Sequence, residues 1–166
     1  MPKADILKTL RAEHDALRGL FDDLKGTTDR AAKKRADLLD KILDGLVPHA
    51  KWEESVFYPE FKQRVDRDGL QTHAEAVAEH RAVEMRVIPD VLASETTTPE
   101  FAGRAKVFGE LIDHHASEEE DTMFKMARKV FSADELAQLD GDYKGWKDSA
   151  EGKRAVATAL KEFKAA

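Results

Sequence analysis

At 166 residues, 42% apolar and 36% charged, the chain is long enough for one domain with a real core, too short for two ordinary ones and too apolar to stay disordered. A net charge of −6 without a dense basic tract argues against a nucleic-acid partner, and the Lys33-Lys34-Arg35 run reads as a solvated helix face. The absence of cysteine excludes disulfides, iron–sulfur clusters, thiol catalysis and Cys-type zinc sites. No apolar run nears the ~18 residues of a membrane span. The Met1-Pro2-Lys3-Ala4-Asp5 start leads straight into a charged amphipathic stretch, so the expected location is cytoplasmic.

Apolar residues recur at helical spacing along four stretches. The first carries Leu7, Leu10, Leu17, Phe21 and Leu24, with His14 filling a gap in the stripe and Gly26 as the stop. The second carries Leu39, Ile42, Leu46 and Val56, with His49 and Glu53 in line; Pro48 predicts a kink beside them. The third carries Leu70, Val77, Val87 and Val91, with His73, His80 and Glu84 in line. The fourth opens on Thr98 as N-cap and Pro99, and carries Phe101, Ala105, Phe108, Ile112, Thr122 and Met126 with His115 and Glu119 between. The spacing predicts helices over 4–25, 29–64, 70–93 and 99–130. Their short links favour an all-α, up-down-up-down four-helix bundle. Beyond 131, a Ser132–Glu135 capping box opens a short helix, Gly141, Gly145 and Gly152 break up the chain, and a last helix runs over about 149–164. The expected organisation is a bundle over 1–131 and a C-terminal helical extension, 132–166, packing on it without chemistry of its own.

Polar residues inside core-facing stripes need a reason, because a buried carboxylate must be paired or ligate a metal. His49 with Glu53 and His115 with Glu119 each share one helix face four residues apart. His14 and His49 stand 35 residues apart, as do His80 and His115; His14 and His80 stand 66 apart, as do Glu53 and Glu119. Ala12-Glu13-His14 repeats as Ala78-Glu79-His80, and His49-Ala50 with Glu53-Glu54 repeats as His115-Ala116 with Glu119-Glu120. A duplicated hairpin of this kind sets histidines and glutamates symmetrically about a pair of metals. His114 and Glu118 share the HxxxE spacing, but their face is mixed and wet, which leaves His114 exposed or in a supporting role.

At these residues the chain resembles the hemerythrin-like, or HHE cation-binding, family over roughly residues 8–130. The resemblance rests on His14, the His49-Ala50-Lys51-Trp52-Glu53-Glu54 segment followed by Phe57-Tyr58-Pro59, His80, and His115 to Glu120 followed by Met123-Phe124. It implies a four-helix bundle with two iron ions, oxo- or hydroxo-bridged, held by His14, His49, Glu53, His80, His115 and Glu119, with the two glutamates bridging. Zinc or manganese would also suit such ligands. The oxygen carriers of the family have a further histidine one turn before the third-helix ligand, where this chain has Ala76. Glu84 is the better replacement, and His73, about 10 Å from His80 along the helix, the poorer one. The implied function is reaction with dioxygen, hydrogen peroxide or nitric oxide, with catalase-like peroxide removal as its enzymatic form and Tyr58 as a candidate electron gate or hydrogen-bond donor. An iron- or oxygen-responsive sensor, iron storage without turnover, and a metal-free bundle are the alternatives. A monomer or dimer is expected.

Overall fold

A computed structural model of the protein describes residues 4–166. The helices are α1 (Ile6–Lys25), α2 (residues 32–62), α3 (67–92), α4 (99–130), α5 (Ala133–Asp148) and α6 (Ala150–Ala165). No described residue lies in a strand. The first four form the bundle, joined by short links at 26–31, 63–66 and 93–98.

Local chemistry sets the boundaries. Asp5, Asp66, Thr98, Ser132 and Ser149 each accept a backbone N–H from the first turn of the helix that follows. Ser132 and Glu135 complete the expected reciprocal capping box. Gly141 and Gly145 do not interrupt the chain as the sequence suggested; both lie inside α5. The capping box and the burial of Leu136, Asp140 and Tyr143 outweigh the ~1 kcal/mol that each interior glycine costs. Gly152 is required where it stands: a Cβ there would collide with the Trp146 carbonyl oxygen across the sharp α5–α6 turn.

Two expectations about single residues fail. Leu70, on the third apolar stripe, is 43% exposed. Arg35 is buried, unlike exposed Lys33 and Lys34. Its guanidinium donates to Thr27 Oγ1 and the Thr96 carbonyl, pairs with Asp29, and lies 5.5 Å from the centre of the Phe101 ring. It thus ties together the links at one end of the bundle.

The apolar core is divided. One cluster runs from Leu17 and Leu24 through Ile42, Leu46 and Phe108 to Phe163 of α6. The other runs from Ile6 and Leu10 through Trp52, Phe57 and Phe61 to Tyr143 of α5. His14 falls between the two on α1, and the polar centre lies at that level.

Candidate metal centre

Six buried side chains converge there: His14 from α1, His49 and Glu53 from α2, His80 from α3, His115 and Glu119 from α4, all 8% exposed or less. His14 Nε2 lies 3.2 Å from His49 Nε2, and His80 Nε2 lies 2.9 Å from His115 Nε2. The two carboxylates span these pairs. Glu53 turns Oε1 to His49 Nε2 at 3.0 Å and Oε2 to His80 Nε2 at 3.5 Å. Glu119 turns Oε2 to His14 Nε2 at 3.2 Å and Oε1 to His115 Nε2 at 3.6 Å. Both oxygens of Glu53 and Oε2 of Glu119 are buried without a hydrogen bond. Acceptors stripped of water and left without donors are costly unless a cation sits among them. Two groups of atoms could hold such an ion: His14, His49, Glu53 and Glu119, and Glu53, His80 and His115. The donor set suits a first-row transition metal.

Each imidazole is oriented from behind. The Nδ1 of His14 meets Glu120 at 2.9 Å, that of His49 meets Glu13 at 2.9 Å, that of His80 meets Glu54 at 2.8 Å, and that of His115 meets Glu79 at 2.5 Å. An Nδ1–H bonded to a carboxylate leaves the Nε2 lone pair facing inward, as a metal ligand requires. The four glutamates obey the same repeat of 66: Glu13 matches Glu79, and Glu54 matches Glu120. Burial would raise the Glu13 carboxyl, but His49, Lys147 and Tyr143 hold it at about 2. Glu54 behaves alike: burial opposes, His80 and Lys51 prevail, and the result is about 2. Burial disfavours a charged His49, but Glu53 and Glu13 raise it to about 10.

The helices are not α-helical throughout. Glu53–Phe57, Val83–Val87 and Glu119–Met123 are π-helical turns. Pro59 and Pro89 each lie just beyond one, where a missing N–H is most easily accommodated. The helix runs through Pro48, and the departure from α geometry comes at Glu53 instead. The wider turn brings residue i+5 over residue i: the N–H of Tyr58 bonds the Glu53 carbonyl, and that of Phe124 bonds the Glu119 carbonyl. Tyr58 and Phe124 are again 66 apart, but their chemistry differs. The Tyr58 hydroxyl donates to Glu119 Oε1 at 2.6 Å and lies 3.0 and 3.2 Å from the Nε2 atoms of His80 and His115. The Phe124 ring stacks on His14, 6.0 Å between centroids. Burial and the two glutamates push the Tyr58 phenol well above its ordinary range, so it stays protonated.

The remaining candidates fall outside the two groups of atoms that could hold an ion. Glu84 pairs with Lys51 at 2.7 Å. The His73 ring packs edge-on against Tyr58 at 6.2 Å. His114 is 62% exposed and pairs with Glu79 at 3.2 Å. The α5 segment, expected to be without chemistry, bonds Glu13 through the Tyr143 hydroxyl and Lys147 Nζ, each at 2.7 Å.

The fold and the site define a helical cation-binding domain. The chain belongs to the hemerythrin HHE cation-binding domain family, which matches residues 5–127. Its fold is shared with a hemerythrin HHE cation-binding domain-containing protein of Mycobacterium kansasii, at a TM-score of 0.71 and 24% identity over 96% of this chain and 99% of that one. A DNA nickase of Nostoc sp. is 24% identical over 143 residues, 86% of this chain but 39% of that protein. The chain thus spans well under half of that relative's length.

Proposed function

We propose that the protein is a di-iron protein that reacts with dioxygen, hydrogen peroxide or nitric oxide, with His14, His49, Glu53, His80, His115 and Glu119 as iron ligands. The observation that carries this reading is the set of three buried carboxylate oxygens without hydrogen bonds, facing four inward imidazole nitrogens. Bound iron would supply Lewis acidity and a two-electron redox couple. Glu53 and Glu119 bridge the two histidine pairs, and the glutamates on Nδ1 hold each ring in register. Tyr58, kept protonated, supplies a hydrogen-bond donor on the His80–His115 side. Phe124 leaves the His14 side without one.

A cavity of about 30 Å³ adjoins the centre, walled by Leu17, Leu46, Val83, Ile112 and Phe163, by Glu79 and Glu84, and by the four histidines and Glu53. A water needs about 10–15 Å³ on this measure, so the space suits molecules of a few atoms. Each histidine pair would hold one metal, and with Ala76 where the carriers have a fifth histidine, the residues present would leave room for an oxidant at either. Catalase-like peroxide removal is the enzymatic form of this reading.

The test is metal quantification with an absorption spectrum before and after peroxide. About two irons per chain and a spectrum altered by peroxide are expected, with iron content reduced in His14→Ala and Glu119→Ala. Unchanged iron content in both variants would refute the ligand assignment. One observation favours a second reading, a sensor: Tyr143 and Lys147 join α5 to His49 through Glu13. A change in protease sensitivity of residues 132–166 between metal-free and loaded protein would support it.

A further inference from the structure

The two halves of the duplicated hairpin have diverged around the centre. Behind Glu13, the surroundings are Thr9, Leu10, Pro48 and Trp52; 66 residues on, behind Glu79, the same places hold Glu75, Ala76, His114 and Glu118. The first quadrant is roofed by α5: Leu10 and Trp52 are buried, Tyr143 lies on Trp52 at 4.8 Å, Thr9 bonds Asp140, and the cavity of about 150 Å³ beside Glu13 reaches none of the six converging residues. The second is open, a cavity of about 250 Å³ walled by Glu75, Ala76, Glu79, His114 and Glu118 and reaching His115 and Glu119.

Charge separates the quadrants further. Glu13 is neutralised by Lys147, Glu54 by Lys51, and Glu120 by Arg18. Glu79 meets His115 and the exposed His114 but no lysine or arginine. Glu75 accepts from the neutral Gln71 side chain, and Glu118 has no partner among the described residues. Beneath them lies Glu119, 1% exposed, with Oε1 toward His115 and with Oε2, which accepts no hydrogen bond, turned on to His14. The cavity on the other side is far smaller, about 30 Å³ against about 250 Å³, and its acids beyond the converging residues are Glu79 and Glu84, the latter paired with Lys51, so a hydrated ion has little room there.

We propose that the quadrant opened by Ala76 is the loading port for divalent cations, with Glu75 and Glu118 capturing the hydrated ion at the mouth and Glu79 passing it to Glu119 and His115. This rests on the centre being a metal site. Surface carboxylates without countercharge focus the field at a cleft and raise the arrival rate of cations. Carboxylates at successive depths replace water ligands in steps rather than all at once.

The test mixes the metal-stripped full chain with cobalt(II) in a stopped-flow instrument and follows its visible absorption. In Glu75→Gln/Glu118→Gln, uptake slows about tenfold at low ionic strength, its salt dependence flattens, and the final metal content is that of the wild type. Ala76→Leu, which places the leucine of the α5-roofed quadrant in the open one, also slows uptake, with a thermal melt to show that it folds. Glu151→Gln/Glu162→Gln, the same charge change on the exposed face of α6, loads at the wild-type rate. Wild-type uptake rates in Glu75→Gln/Glu118→Gln, or equal slowing in both double variants, would overturn the port alone. A wild-type chain that takes up neither cobalt nor iron would overturn the metal reading beneath it.

Discussion

Replacing Glu53 by leucine should stabilise the metal-free protein. Glu53 is fully buried, lies 3.0 Å from His49 Nε2 and 3.5 Å from His80 Nε2, and accepts no hydrogen bond at either oxygen. A buried acceptor left unsatisfied costs ~1–3 kcal/mol, so the two oxygens together cost about 4 kcal/mol. Losing the ion contacts gives back part of this, because Glu53 is the largest attraction keeping a proton on His49. Without it His49 can turn neutral rather than remain a buried, unpaired charge. Leucine is similar in volume, and swapping buried ionic groups for apolar ones is often stabilising by ~1–4 kcal/mol. A net gain of about 2 kcal/mol raises the midpoint by about 4–8 °C for a chain of this length. Thermal melts of metal-free and iron-loaded protein supply the assay. Wild type should gain about 4 kcal/mol when free metal exceeds its dissociation constant a thousandfold, and Glu53→Leu should gain far less. The order of the two proteins therefore reverses on loading. A metal-free Glu53→Leu protein that melts below metal-free wild type would show that Glu53 serves the fold and not a cation.

Tyr143→Phe removes one of the two α5 donors to Glu13 and should weaken metal binding at the His14–His49 pair by about tenfold. Chelator titration should then resolve two unequal steps, and equal weakening of both would count against an effect confined to His49. The Glu13 and Glu54 carboxyls, at about 2 against an ordinary 4.5, contribute stability that is complete above pH 4.5 and lost as pH falls toward 2. His49, raised from 6.5 to about 10, contributes stability that is complete below pH 6.5 and lost as pH rises through about 10. Melts of the metal-free protein should therefore decline on both sides of a plateau between about pH 4.5 and 6.5, and a midpoint constant from pH 6.5 to 10 would contradict the His49 contacts. Gly152→Ala should cost about 1–3 kcal/mol in urea unfolding, since the added methyl collides with the Trp146 carbonyl; an unchanged midpoint would mean that the α5–α6 turn is not tightly constrained.

The four bundle helices and the six converging side chains were legible because two independent patterns coincide in the sequence: histidines and glutamates in phase with apolar stripes, and the spacing of 66. The glutamates behind the rings were visible but unread. Glu13, Glu54, Glu79 and Glu120 stand beside the converging residues in both repeats, but a glutamate next to a buried position looks solvated until the fold shows which ring it meets. Tyr58 was seen, but its place depends on a π-helical turn, which shifts the facing residue from i+4 to i+5 and leaves no mark on short apolar stripes. Tyr143 bonds a residue 130 positions away, and no local pattern foretells that. Arg35 was misread because a basic triplet looks solvated until the partners of each member are known.

The polar layer at His14 has a mechanical consequence. Greasy contacts do not cross it, so each end of the bundle coheres by itself. Beyond the four long helices, the two ends are joined by α5, seated with Leu136 and Tyr143 in one cluster, and by α6, which follows it and is seated with Ala159 and Phe163 in the other. Residues 133–165 therefore work as a splint, binding the two ends to each other from outside.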